Sequence, residues 1–153
     1  MLREQLNDTL KEAMKSKDPT TVSTLRLINA AIKDRDIADR TKGGIDEEGI
    51  SDDDILQLLQ SMIKQRHDSI DAYTKGGRNE LADQEAQEIE VIERFLPEQL
   101  GDEEMTNAVN GVIEAVGAES LKEMGAVMAK LREDFAGQID FGKASGIVKK
   151  RLG

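Results

Sequence analysis

The chain has 153 residues, a formal net charge of −10, and 38% apolar against 34% charged residues. That length suits one domain or a domain with a small appendage, and the apolar fraction is enough for a core. The absence of cysteine excludes disulfides, thiolate metal sites and cysteine nucleophiles, while the acidic balance weighs against a general nucleic-acid coat.

The few aromatic residues, Tyr73, Phe95, Phe135 and Phe141, predict an aliphatic core. No apolar run approaches the roughly 20 residues that cross a bilayer. The start, MLREQLNDTLKEAMK, is amphipathic and has no signal-peptide apolar region, so a cytoplasmic protein with no membrane role is expected. Charge is uneven along the chain. Residues 1–96 carry 14 basic and 21 acidic groups, and residues 97–153 carry 7 and 10. No acid follows Asp140, whereas Lys143, Lys149, Lys150 and Arg151 do.

Nearly every segment has helical period and none alternates as a strand would. Leu2, Leu6, Leu10 and Met14 place a first amphipathic helix at four-residue spacing. Asp18-Pro19 reads as an N-cap followed by proline at the first helical position, where its missing N–H costs nothing. The next helix carries Val22, Leu25, Ile28 and Ile32 on one side and Leu27 with Ala31 on another, which predicts a deeply placed helix with two apolar faces. Residues 39–50 form an acidic loop punctuated by Gly43-Gly44 and Gly49. Ser51 and Asp54 make a capping-box-like start for a long helix to about Lys75, with Asp52 and Asp53 at the positive end of its dipole. After Gly76-Gly77, Asn79 is expected to cap a fourth helix, which Leu96-Pro97 terminates.

Three shorter helices are expected in the tail. The first bears Met105, Val109, Val112, Ile113 and Val116 and stops at Gly117, a suitable left-handed end residue. A capping box of Ser120 and Glu123 is expected to open the second, which is striped with Leu121, Met124, Val127, Met128, Leu131 and Phe135. The third follows Gly137 and turns Phe141, Ala144, Val148 and Leu152 inward. The fold class predicted is therefore all-α: an N-terminal four-helix domain, 1–96, followed by a small three-helix tail domain, 97–153.

Chemistry-bearing patterns are sparse. His67 and Asp71 lie one helical turn apart, but a metal site needs further ligands. Asp46, Glu47, Glu48, Asp52, Asp53 and Asp54 miss the alternating spacing of a calcium loop. Glu85 and Glu88 have a spacing that suits acid–base work, yet ion pairing, with Arg26 as a candidate partner, is the simpler reading. Met124 and Met128 fit a core stripe, and Gly125 with Ala129 would admit a second helix at close range. No catalytic residue, metal ligand or cofactor site is assigned. The basic residues of the tail are the strongest candidates for a site: Lys143 and Lys150 share the outer face of the last helix, Lys149 and Arg151 flank it, and Lys122, Lys130 and Arg132 add to them from the helix before. Such groups bind phosphates with a strong salt dependence, and the shortage of aromatics favours a folded RNA over stacked single-stranded bases.

The segments TLRLINAAIK (24–33), IKQRHDSIDAY (63–73), GGRNELADQEAQEIEVIERFLPEQL (76–100) and MGAVMAKL (124–131) together resemble the GatB/YqeY family across essentially the whole chain. Free-standing members are all-α, and a similar tail in the B subunit of a tRNA-dependent amidotransferase contacts tRNA. The resemblance implies tRNA, a tRNA amidotransferase or another tRNA-handling protein as partner. It also carries a family-level label of carbon–nitrogen ligase with glutamine as amido donor. However, this chain has nothing resembling the catalytic body of that enzyme. Ala126 stands where the family often has lysine, and GQIDFGKAS replaces its usual glycine- and aspartate-rich turn. The expectation is a non-catalytic protein whose tail binds tRNA or a tRNA-handling complex. A protein–protein adaptor without an RNA role and an accessory component of the amidotransferase are the alternatives.

Overall fold

In the computed structural model, which describes residues 2–41 and 49–153, the protein is all-α. Among the described residues there are seven α-helices, one short 3-10 turn and no strand. In chain order they are α1 (Leu2–Ser16), α2 (Pro19–Thr41), α3 (Asp52–Lys75), α4 (Asn79–Glu93), α5 (Asp102–Val116), the 3-10 turn Leu121–Glu123, α6 (Met124–Asp134) and α7 (Phe141–Leu152). The chain divides into two compact units, Met1–Leu96 and Pro97–Gly153. Helix α2 continues to Thr41, so residues 39–41 of the expected acidic loop are helical, while its Gly43, Gly44, Asp46, Glu47 and Glu48 lie outside the described residues.

In the first unit, α1 buries Leu2, Leu6 and Ala13, whereas Met14, expected inside, is half exposed. Each four-residue step overshoots a full turn by about 40°, so three steps carry Met14 off the face on which Leu2 began. The left-handed Lys17 (φ 57) closes α1. Asp18 then caps α2, accepting from the Thr21 amide at 3.2 Å and the Thr21 hydroxyl at 2.7 Å. Helix α2 buries Thr21, Thr24, Leu25, Ile28 and Ile32, but Leu27 is half exposed. The helix therefore has one buried face rather than two. The buried Thr24 hydroxyl donates to the Thr20 carbonyl at 2.7 Å, so its burial leaves no polar group unmet.

Helix α3 opens with Ser51, whose hydroxyl accepts from the Asp54 amide at 3.2 Å. It closes at Gly76 and the left-handed Gly77 (φ 73), where Arg78 N–H reaches the Tyr73 carbonyl at 2.8 Å. Asn79 is the first helical residue of α4 rather than its cap; Arg78 holds the cap position and makes no side-chain capping bond. The turn at Gly77 delivers the chain one residue earlier than the capping preference of asparagine suggests. The core of this unit gathers Leu6, Leu25, Ile28, Ile50, Ile55, Leu59, Val91 and Ile92, all aliphatic, with Phe95 only partly buried beside it.

The tail unit has its own aliphatic core: Val109, Val127, Leu131, Ile139, Ala144 and Val148 are essentially inaccessible. Gly117 ends α5 in the left-handed conformation (φ 73), donating to the Ile113 carbonyl at 3.0 Å. The expected capping box at Ser120 does not form. The Ser120 side chain makes no capping bond, and Glu123 instead accepts from the Glu119 amide at 2.8 Å. A 3-10 turn consequently precedes α6, and the resulting shift of register leaves Leu121 half exposed while Met128 is buried. Asp140 caps α7 by accepting from the amides of Gly142 (2.9 Å) and Lys143 (3.3 Å). Leu100 N–H donates to the Gln138 carbonyl at 2.9 Å, fastening the start of the tail to the turn between α6 and α7.

Candidate nucleic-acid interface

Helix α7 owes its orientation to Ala144 and Val148, one turn apart and both buried. At about 100° per residue, this inner line turns Lys143 and Lys150 outward on one flank, about 20° apart around the axis and about 10 Å along it. Lys149 lies on the other flank of the outer face, and Arg151 projects from the last turn. All four are exposed. Among the described residues, none of them takes part in an ion pair. Lys149, Lys150 and Arg151, in the last turn, also offset the helix dipole, whereas Lys143 lies in the first turn.

The three cations expected from the neighbouring helix fare differently. Lys130 is tied to its own helix, with its ammonium 3.2 Å from Asp134 and 3.9 Å from Glu133. The hydrogen bond to Asp134 raises its pKa further above the ordinary lysine value. Lys130 is thus already partnered. Arg132 is exposed and lies over the Phe141 ring, 5.8 Å from its centroid, so this α6 guanidinium is held against the start of α7. Lys122 is exposed in the 3-10 turn, on the order of 15 Å along the chain axis from Arg132 at helical rise. The structure therefore keeps Lys143, Lys149, Lys150 and Arg151 on one helix, adds Arg132 beside it, and engages Lys130 elsewhere.

The remaining candidates resolve into structural roles. Glu88 is paired with Arg66 of α3, Nε to Oε2 at 3.0 Å, with side chains only 12% and 11% exposed, and the expected partner Arg26 is solvent-exposed instead. The Arg66 guanidinium also donates to the Met62 carbonyl at 3.1 Å, which anchors it to its own helix. Burial, and after it the neighbouring Glu88, raise the pKa of Glu85, with Arg66 opposing them. His67 and Asp71 are exposed on α3, and among the described residues no three metal-binding side chains converge. Gly125 has open space above it, so no tail helix uses the close approach that it and Ala129 would permit.

One constellation had no signal in the sequence. Arg3 of α1 grips both carboxylate oxygens of Asp36 on α2 at 2.9 and 2.7 Å, and Asp36 also accepts from the Ile50 amide at 2.9 Å. Gly49 (φ 91) passes so close that a Cβ there would clash with the Arg3 guanidinium and the Asp36 carboxylate. The hydrogen bond from Arg3 holds the Asp36 carboxyl below its ordinary pKa. This latch seats Ile50 in the core just before α3 begins.

These features define a small all-helical protein with two separate cores, its chemistry concentrated in paired structural charges and one cationic helix. The chain belongs to the family of Yqey-like proteins, whose family model matches residues 3–152. It is similar to the protein "Altered inheritance of mitochondria protein 41, mitochondrial" of Candida glabrata, 36% identical over 93 residues, covering 61% of this chain and 48% of that protein. The protein of the same name from Clavispora lusitaniae is 28% identical over 147 residues, covering 94% of this chain and 80% of its own length. An uncharacterized protein of Schizosaccharomyces pombe is 30% identical over 89 residues, 58% of this chain and 67% of that one. The chain spans about half the length of the first of these relatives. No helix among the described residues is long and apolar enough to cross a membrane.

Proposed function

We propose that this chain is a cytoplasmic binding protein whose tail attaches to tRNA, or to a complex that handles it, without carrying out a reaction by itself. The observation that carries this reading is α7, whose outer face bears Lys143, Lys149 and Lys150 and whose last turn bears Arg151, all exposed and unpaired among the described residues. On the neighbouring α6, by contrast, Lys130 is met by Asp134 of its own helix. Unpaired cations on one short helix present a phosphate-binding surface even though the whole molecule is acidic. The resemblance of the tail segments to those of the tRNA-dependent amidotransferase B subunit supports the same reading. The carboxylates with acid–base spacing give no contrary argument, since Glu88 is occupied by Arg66.

Binding of the purified chain to bulk tRNA, followed by fluorescence anisotropy across a salt series, tests this directly. Four phosphate contacts predict a slope of log affinity against log salt of about −3 to −4. Reversal of Lys143, Lys149, Lys150 and Arg151 to glutamate is expected to abolish binding. Unchanged affinity after that reversal removes the RNA reading. A protein partner captured equally well after ribonuclease treatment would then favour the adaptor.

A further inference from the structure

The cations of α7 surround a residue that the fold does not explain. Gly146 lies halfway along the helix, opposite the buried line of Ala144 and Val148, and is exposed. At about 100° per residue it falls between Lys149 on one side and Lys143 with Lys150 on the other. A Cβ built on Gly146 would meet nothing within 4 Å, so no neighbour requires a glycine there. Gly142, one turn earlier, is different: a Cβ there would crowd the capping carboxylate of Asp140 at 3.1 Å. Glycine in a helix interior is a poor helix former, because the unfolded chain gains freedom that the helix must remove. Gly146 therefore weakens α7 while keeping a bare strip of backbone between two flanks of lysine.

Resting on the RNA-binding reading, we propose that α7 lies with the bare strip at Gly146 against the shallow minor groove of an RNA duplex, Lys143 and Lys150 reaching phosphates of one strand and Lys149 those of the other. The minor groove of A-form RNA is wide and shallow and lined with 2′-hydroxyls, so a helix with no side chain at Gly146, midway along its outer face, can settle on it. The minor groove of B-form DNA, about 6 Å wide, is too narrow for a helix about 10 Å across. Single strands are disfavoured because the tail has little aromatic surface to stack on: Phe135 and Phe141 are half-buried, and Arg132 covers the Phe141 ring.

The test uses the full chain and three probes of matched sequence: an RNA hairpin stem, a DNA duplex and an unpaired RNA strand. The variants are Gly146→Ala and Gly146→Gln. Both are expected to raise the melting temperature, since the space is open and both residues are better helix formers. Affinity for the RNA stem is nevertheless expected to fall, roughly threefold for alanine and tenfold or more for glutamine, and the DNA duplex to bind at least tenfold more weakly than the RNA. Gly146→Gln binding the stem as the parent does would overturn the groove assignment. So would equal affinity for DNA and RNA duplexes, or a melting temperature lowered by Gly146→Ala. If the four-site charge reversal still abolishes binding in those cases, the RNA-binding reading stands and only this inference fails. A parent chain that binds no RNA removes both.

Discussion

The two units use charge in opposite ways. In the first, the prominent ion pairs join different helices: Arg3 to Asp36 across α1 and α2, and Arg66 to Glu88 across α3 and α4. In the tail, the ion pairs are local to α6, linking Lys130 with Glu133 and Asp134 three and four residues on, and the cations of α7 are left unpaired among the described residues. The Arg3–Asp36 and Arg66–Glu88 pairs are architectural, because partly buried groups must be matched to avoid the cost of desolvation. Charge on α7 remains in water, where it does little for stability and stays available to a partner.

Breaking the Arg66–Glu88 pair is expected to have the largest effect on the folded state. Arg66→Leu leaves Glu88 buried without its partner and is expected to cost about 3 kcal/mol in chemical denaturation. The double change Arg66→Leu with Glu88→Leu should recover most of that loss, since two packed apolar residues replace a buried pair of similar volume. A double variant as unstable as the single one would refute the architectural role.

The Arg3–Asp36 latch comes next. Asp36→Asn is expected to cost about 1–2 kcal/mol near neutral pH, the worth of hydrogen bonds to a charged group. Because the folded state holds the Asp36 carboxyl below its ordinary pKa, the stabilisation is fully present above the ordinary carboxylate value. It disappears as pH falls through the lowered one. The gap between parent and variant should therefore narrow on acidification, which denaturant midpoints measured at several pH values will show.

Replacing Lys143, Lys149 and Lys150 together by glutamine is expected to change stability by less than about 1 kcal/mol, the scale of dipole and surface-charge effects. A much larger loss would mean that the charges of α7, like those of the first unit, hold the fold. Smallest of all is Glu85→Gln, which should raise the melting temperature slightly at neutral pH. Burial and Glu88 disfavour the ionised Glu85, so the benefit should vanish at acid pH, where the parent carboxyl is already protonated.

Much of the architecture was legible in short stretches of chain. Ser51 with Asp54, Gly76-Gly77 and Gly117 act within four residues of themselves, and each marks a helix end where the chain places it, whereas α4 ends at Glu93, before the stop expected at Leu96-Pro97. The misreadings were also local. Asn79 begins α4 instead of capping it, Glu123 turns back to Glu119 instead of completing a box with Ser120, and Met14, Leu27 and Leu121 sit off the buried faces. In each, two local arrangements of similar energy compete, and packing against the rest of the unit selects one. For the candidate interface, composition located all seven cations, but not that Lys130 is engaged or that Arg132 is held on Phe141.

By itself, then, the sequence determined the all-helical class, the order and approximate ends of the helices, and the concentration of cations at the end of the chain. Those properties follow from helical periodicity and from capping interactions over a few residues. Only the tertiary structure decided which charges are spent and which are left. Glu88 is met by Arg66 from 22 residues away and Asp36 by Arg3 from 33 away, separations that no local pattern encodes. Packing of the helices brings those partners together, and the same packing points the lysines of α7 at solvent.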